Sequence, residues 1–342
     1  MLPWQQTSQG RERYIFNDQR EYKNNRLLTK SLPLSPPLPN ATLPLMQKPK
    51  ILTIAGPTAS GKTSLSIKLA KQFSGEVISA DSRQVYKQLD IGSGKVTTEE
   101  MQGIPHHLLD MVDPTAIYNA DNFKNDATDA LEGILARNSL PIIAGGTFFY
   151  VDTLLGRITA PPVAPNPALR AKLEENTTEE LYNELREHDP RRAAEVDPQN
   201  RRRLIRAIEI IACIGSVPVI PTNEPYDVLT IGIITEKEAL RVRFKQRAEA
   251  WLEMGYMGEI KNLLDSGLTR ERLHEIGFEY ILGLELYDQT ITQEEFLQKF
   301  IEKNWQYAKK QIAWLKKDKS VQWFTKDQTE EINATVQSFL NN

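Results

Sequence analysis

The sequence predicts an α/β fold, a parallel sheet flanked by helices and carrying a helical insertion, and three observations lead to it. Ile51-Leu52-Thr53-Ile54-Ala55 is a short apolar, β-branched run, and Ser64 to Phe73 beyond it has helical spacing. Strand signals of the same kind return at Glu76–Ala80, Leu140–Ala144 and Leu229–Ile234, separated by helical stretches, which is the pattern of parallel strands with helices on both faces. After Gly156 the strand signal stops until Leu229, and Ala168–Glu175, Thr178–Glu187 and Arg201–Ile214 have helical character.

Taken in order, residues 1–45 are polar and then proline-rich. Ser31-Leu32-Pro33-Leu34-Ser35-Pro36-Pro37-Leu38-Pro39 cannot hold a helix or a central strand, so a disordered tail is expected, with Met46 as an alternative start. Glu12, Asp18 and Glu21 count against a transit peptide. Between the first strand and its helix, Gly56-Pro57-Thr58-Ala59-Ser60-Gly61-Lys62-Thr63 fits G-x-x-x-x-G-K-[ST]. In that setting backbone N–H groups and a helix N-terminus converge on an anion, Lys62 adds a point charge, and the Thr63 hydroxyl can reach a Mg²⁺ held by phosphates. A diphosphate or triphosphate is the expected guest. The second strand ends at Asp81 and the third at Gly145-Gly146-Thr147, the edge where open α/β sheets bind ligands.

Pro161, Pro162, Pro165 and Pro167 open the insertion, placed at residues 158–221. The core is then 46–157 with 222–325, helical from Lys237 almost to Lys317, and 326–342 is expected to be a C-terminal tail. In the last long helix, Trp305, Ala308, Ile312 and Leu315 line one face, with Lys309, Lys310, Lys316 and Lys317 largely off it.

With 40% apolar and 25% charged residues among 342, the composition is that of an ordinary globular protein. No apolar run approaches the roughly 20 residues that span a bilayer, and no signal-peptide core is present, so a soluble, cytoplasmic monomer with no membrane partner is expected. Cys213 is the single cysteine, which excludes an intrachain disulfide and a cysteine-based zinc site. The net charge is −3, yet six arginines between Arg191 and Arg206 and seven lysines between Lys299 and Lys319 form two basic stretches, either a local polyanion site or two solvated helix faces.

Asp81 is the best acid/base candidate because it ends a strand at the ligand edge. It could bind Mg²⁺, accept a proton from a nucleophile, or simply cap a helix. Gln84 has an amide suited to an adenine edge, and is otherwise an exposed polar residue. The strand ending in Gly145-Gly146-Thr147 carries no acid at its tip, unlike many nucleoside-triphosphate hydrolases, and the paired glycines fit a ligand approach or a tight turn equally well. His106 and His107 lack a third spaced ligand, and loop hydrogen bonding is their expected role.

Six segments in order resemble the tRNA dimethylallyltransferase, or tRNA isopentenyltransferase, family: Gly56–Thr63, Ile78-Ser79-Ala80-Asp81-Ser82-Arg83-Gln84-Val85-Tyr86, Leu89-Asp90-Ile91-Gly92, Ile104-Pro105-His106-His107-Leu108-Leu109-Asp110, Gly145-Gly146-Thr147 and Gln306-Tyr307-Ala308-Lys309-Lys310-Gln311. The resemblance runs from about Lys50 to Phe324. It implies that Gly56, Pro57, Thr58, Ala59, Ser60, Gly61, Lys62 and Thr63, with Lys237 in place of the family arginine, hold the pyrophosphate of dimethylallyl diphosphate, with Mg²⁺ at Thr63. The acceptor it implies is N6 of the adenosine beside the anticodon in tRNAs reading codons that begin with U. Asp81 matches the family's catalytic carboxylate, which orients the amine and takes its proton, and Thr63 and Lys62 match groups that hold the leaving pyrophosphate. Asp81, Ser82, Arg83, Gln84, Thr147, and Gln199, Asn200, Arg201, Arg202 and Arg203 of the insertion match contacts to the tRNA anticodon stem-loop. A base in a stacked loop reaches such a site only by flipping out.

Four positions depart from the family pattern: Phe148 replaces a glycine after Gly145-Gly146-Thr147, Ser93-Gly94 replace Thr-Ala, Lys237 replaces arginine, and Lys310-Gln311-Ile312-Ala313-Trp314 stands for Arg-Gln-x-Thr-Trp. Other readings are prenylation of free AMP, ADP or ATP, a small-metabolite kinase, and an inactive tRNA-binding homologue.

Overall fold

A computed structural model describes residues 47–342 and, ahead of them, only the two-residue strands Gln5–Gln6 and Glu12–Arg13; the tail expected over 1–45 otherwise lies outside the described residues. From residue 47 the chain divides into two compact units, Pro161–Ile220 and the larger Gln47–Ala160 with Pro221–Asn342.

The larger unit is built on strands β1 (Lys50–Ala55), β2 (Gly75–Ala80), β3 (His106–His107), β4 (Leu140–Gly145), β5 (Asp227–Ile234) and β6 (Gln322–Thr325), all parallel, in the order β3-β2-β4-β1-β5-β6. Strand β1 is central: Leu52 lies opposite Ile142 on one side and Leu229 on the other. Being covered on both faces, it is buried without alternation from Ile51 to Ala55. Helices α1 (Lys62–Gln72), α2 (Thr98–Met101), α3 (Ala120–Ala136) and α4 (Phe148–Leu154) follow successive strands. Leu65 and Leu69 of α1 pack on Leu52, Ile54 and Ile142. On the opposite face Phe123, Leu131 and Ile134 of α3 and Tyr150 of α4 pack on Ile51, Ile78 and Ile143.

The smaller unit is helical: α5 (Pro167–Glu174), α6 (Thr178–His188), α7 (Pro190–Glu195) and α8 (Arg201–Ile214). Leu181, Leu185, Leu204, Ile208 and Ile211 form its core. Glu209 is buried there and accepts from both Nε and Nη2 of Arg170 at 2.9 Å and from the backbone N–H of Asn166 at 2.5 Å. Helix α7 was not anticipated; Pro190 takes its first position, where a missing N–H is harmless, with Asp189 accepting the Arg192 N–H as cap.

The chain then forms α9 (Lys237–Glu253), α10 (Tyr256–Asp265), α11 (Arg270–Ile276), α12 (Phe278–Tyr287), α13 (Gln293–Leu315) and α14 (Thr329–Asn341). Trp251, Tyr256, Tyr280, Phe296 and Phe300 make an aromatic core with Val85, Tyr86 and Leu89, so these helices pack on the segment that follows β2. No helix among the described residues is long and apolar enough to cross a membrane.

Two expectations need correction. The tail expected over 326–342 carries α14, because Ile332 and Val336, one helical turn apart, are buried beside Leu52 and Ile231 of the sheet. The buried residues of α13 are Phe296, Phe300, Asn304, Ala308, Gln311 and Leu315; of the expected stripe Ala308 and Leu315 are among them, Trp305 is half-buried against Leu240, Phe244 and Ala308, and Ile312 is half-buried. Reading that helix by apolar residues alone passed over Asn304 and Gln311, both about 2–3% exposed.

Candidate active site

The loop from Gly56 to Thr63 leaves β1 and runs directly into α1, whose first residues are Lys62 and Thr63. Gly56, Ala59 and Gly61 have φ of 154°, 59° and 97°. A Cβ on Gly56 would lie 2.8 Å from Ser60 Oγ and 3.2 Å from the Ile233 carbonyl, so only glycine lets the loop turn this close to β5. Lys62 Nζ donates to the Pro57 carbonyl at 2.8 Å across the loop. Burial, and then the charge of Arg247, push its pKa down to about 8, with Asp81 pulling the other way. A cation held at that cost is one that a bound phosphate would favour.

Three side chains from far along the chain hold this loop. Gln311 Oε1 accepts the Thr58 N–H at 2.8 Å and its Nε2 donates to the Gly146 carbonyl at 2.9 Å. Arg247 Nη1 donates to Thr58 Oγ1 at 3.0 Å, and Arg243 Nη1 to the Ala59 carbonyl at 2.9 Å. The two arginines stand one turn apart on α9, beside the buried stripe of Leu240, Phe244 and Ala248.

Asp81 follows β2 and faces the same cavity, about 670 Å³, as Thr58, Lys62, Thr63 and Arg247. It does not cap an α-helix. Its Oδ1 accepts the N–H groups of Arg83 at 2.9 Å and Gln84 at 3.4 Å, a local turn. Thr147 Oγ1 accepts the Ser82 N–H at 3.1 Å and thereby joins the ends of β2 and β4. Ile67, Val96, Trp251 and Met254 supply an apolar wall to the cavity. Carboxylate, hydroxyl, cations and apolar wall together suit a ligand with a charged head and a hydrocarbon tail, and the volume is that of an ordinary small-molecule site.

The paired glycines owe their place to the protein itself. A Cβ on Gly145 would fall 2.1 Å from the Ala80 carbonyl oxygen, and one on Gly146 would fall 2.5 Å from Gln311 Nε2. Leu89-Asp90-Ile91-Gly92 is held by Glu259 of α10, which accepts the N–H groups of Asp90, Ile91 and Gly92 at 2.6–2.9 Å, and Asp90 and Ile91 line the cavity. His107 Nε2 lies 2.7 Å from Glu76 Oε2 at the sheet edge, away from the cavity lining.

The family described as IPP transferase matches residues 84–318, more than two thirds of the chain. A tRNA dimethylallyltransferase of Anoxybacillus flavithermus is 37% identical over 281 residues, covering 80% of this chain and 90% of that protein. The chain belongs to the IPP transferase family. Among solved structures, the full-length tRNA isopentenylpyrophosphate transferase of Bacillus halodurans superposes with a TM-score of 0.65 at 34% identity, covering 86% of this chain and 97% of that one. A eukaryotic dimethylallyltransferase solved acting on tRNA gives 0.75 at 29% identity over 86% and 80%.

For this IPP transferase the fold brings Gly61, Lys62, Thr63, Asp81, Arg83 and Gln84 to one cavity, but not every expected residue. Lys237 is exposed at the start of α9 with Nζ 5.7 Å from the Trp305 ring centroid, and it does not line the cavity. Arg243 and Arg247 line it instead and donate to the loop; their four-residue spacing on one helix face is the available signal. Arg83 lines the cavity and pairs there with Glu279 at 2.5 Å. Gln84 is engaged at both ends, accepting from Ser79 Oγ at 3.1 Å and donating to the Gly94 carbonyl at 3.0 Å. Phe148 is buried against Ala55 and Leu315 and lines a different cavity, of about 520 Å³, so the aromatic at the family glycine position does not intrude on Asp81. In the transferase's smaller unit Gln199, Arg202 and Arg203 are exposed, Asn200 caps α8 by accepting the Arg203 N–H, and Arg201 is partly committed, with Nη1 donating to the Asn176 carbonyl at 2.7 Å.

Proposed function

We propose that this chain is a tRNA dimethylallyltransferase that moves a dimethylallyl group from dimethylallyl diphosphate to N6 of the adenosine beside the anticodon, in tRNAs reading codons that begin with U. The observation that carries the reading is that Asp81 and the phosphate loop open on one cavity with an apolar wall. The amine nitrogen of the flipped adenine attacks C1 of the donor, the N6–C1 bond forms, the bond from C1 to the bridging oxygen breaks, and pyrophosphate leaves. Asp81 orients the amine and takes the proton it loses. Lys62, Arg243, Arg247 and the loop amides neutralise the charge growing on the leaving group, while the apolar wall keeps water from the allylic carbon.

The Thr63 hydroxyl opens on this cavity as an oxygen donor, which fits Mg²⁺ when the remaining positions are filled by phosphate and water, and leaves Asp81 free to act as the base. When bound there, Mg²⁺ would stabilise charge on the pyrophosphate. Gln199, Arg202 and Arg203 would meet the anticodon stem-loop through its phosphates.

Purified protein given the donor, Mg²⁺ and unmodified tRNA is expected to yield N6-(dimethylallyl)adenosine by nucleoside mass spectrometry, with AMP and ATP as much poorer acceptors. Asp81→Ala is expected to lose nearly all of the rate while keeping tRNA affinity. No isoprenoid in any tRNA pool would overturn the reading.

A further inference from the structure

Arg83 is two residues from Asp81, and its own N–H donates to Asp81 Oδ1, so wherever the Arg83 backbone is held the carboxylate is held with it. Both of the local amides land on Oδ1, which leaves Oδ2 as the oxygen able to receive a proton from a ligand. What fixes Arg83 comes from elsewhere. Its Nη1 is 2.5 Å from Glu279 Oε1, its Nε donates to the Ile276 carbonyl at 3.4 Å, and its guanidinium lies 5.4 Å from the Phe278 ring centroid and 5.7 Å from that of Tyr307.

Three consecutive residues at the junction of α11 and α12 are shaped to this guanidinium. Gly277 supplies the gap, since a Cβ there would lie 2.6 Å from Arg83 Nε and 2.9 Å from its Cζ. Phe278 supplies a ring face and Glu279 the anion. Arg83 cannot swing aside to admit that Cβ without leaving both rings and its ion pair. Glu279 is 5% exposed, and its Oε2 has no hydrogen-bond partner among the described residues, a costly arrangement for a group whose only service is structural.

We propose that Glu279 is a positioning residue of the transfer reaction: seated beside Gly277, it locks Arg83 and thereby fixes the carboxylate of Asp81. This role rests on the function proposed above. It gives Arg83, which lines the same cavity, the task of aligning Asp81.

The test compares wild type with Glu279→Ala, Glu279→Gln, Gly277→Ala and Arg83→Ala, alone and as Arg83→Ala with Glu279→Ala. Single-turnover transfer at saturating donor and tRNA is measured beside the Kd of each substrate and the thermal midpoint. Because an ångström of misplacement can cost about a hundredfold, Glu279→Ala and Gly277→Ala are expected to slow transfer roughly 10- to 100-fold with both Kd values within about threefold. Glu279→Gln, which keeps the shape and one acceptor, recovers part of the rate. In the Arg83→Ala background Glu279→Ala adds no further loss. Transfer within about threefold of wild type in the single variants, a loss that appears in Kd, or an additive double variant overturns the role. If Glu279→Ala fails to fold, Glu279→Gln and Gly277→Ala decide it. A wild-type protein that transfers no isoprenoid overturns the function itself, and this role with it; failure of the variants alone overturns only this role.

Discussion

Gln311 of α13 accepts the backbone N–H of Thr58 at 2.8 Å, so the phosphate loop is held by a side chain 253 residues further along the chain. The same amide donates to Gly146, and one residue thereby spaces the ends of β1 and β4. Gln311→Ala leaves the half-buried Thr58 N–H without its partner and leaves the Gly146 carbonyl with only the longer bond from Tyr307 Oη at 3.3 Å. We expect the KM for the diphosphate donor to rise about tenfold and stability to fall by about 1–2 kcal/mol. Steady-state kinetics and chemical denaturation measure the two effects separately.

Arg247 and Lys237 begin and continue the same helix but differ in reach. Removing a donor aimed at a leaving group typically costs 10²- to 10³-fold, so Arg247→Ala should lower kcat/KM by about that factor. Lys237→Ala should stay within about threefold of wild type. Equal losses from the two would return Lys237 to the donor site.

The pH response follows from Lys62. Its folded pKa of about 8 lies below the ordinary lysine value of 10.5, so the unfolded chain binds more protons between those two values. Stability of the donor-free protein should therefore rise as pH climbs from about 8 to 10.5, as the cost of burying the cation is relieved. Activity should go the other way. A neutral Lys62 cannot stabilise a leaving pyrophosphate, and kcat/KM, which reports the free enzyme, should decline as pH passes about 8. Lys62→Met should remove both the basic limb and the rise in stability.

Phe148 packs with Ala55 and Leu315. Phe148→Ala should cost about 3 kcal/mol or more, the usual price of a buried aromatic, without changing the donor KM. A fall in KM on this substitution would show that the ring obstructs the donor site.

At the far edge of the sheet Glu76 accepts from Arg137 Nε at 2.9 Å and Nη2 at 2.8 Å and faces His107. The Arg137 hydrogen bonds, reinforced by His107, hold its pKa down to about 2 from an ordinary 4.5. That contribution is complete above pH 4.5 and is lost as pH falls through about 2. Acid unfolding of Glu76→Gln should be flatter over that window, with transfer at neutral pH unchanged.

The glycine-rich loop between β1 and α1, the strand that ends at Asp81 and the parallel sheet were legible because each is written within a few residues. A run of β-branched side chains, a fixed glycine and lysine spacing, or an acid at the end of a strand needs no distant partner to be recognised. The same reasoning failed where side chains serve distant neighbours. Asn304 and Gln311 break the apolar stripe of α13, and Lys237, the match to the family arginine, stays off the cavity that Arg243 and Arg247 line.

Local pattern thus sufficed for a strand, a glycine-rich loop and an acid brought to one edge of a sheet. Packing alone assigned the rest: which cations reach the loop, why Gly145 and Gly146 are glycines, and why Arg83 points inward to Gly277, Phe278 and Glu279. Apart from the close approach of Gly145 to Ala80, those contacts join segments some 160 to 250 residues apart. They form only when the aromatic core of the C-terminal helices closes over the segment after β2, and no spacing within either segment records that meeting.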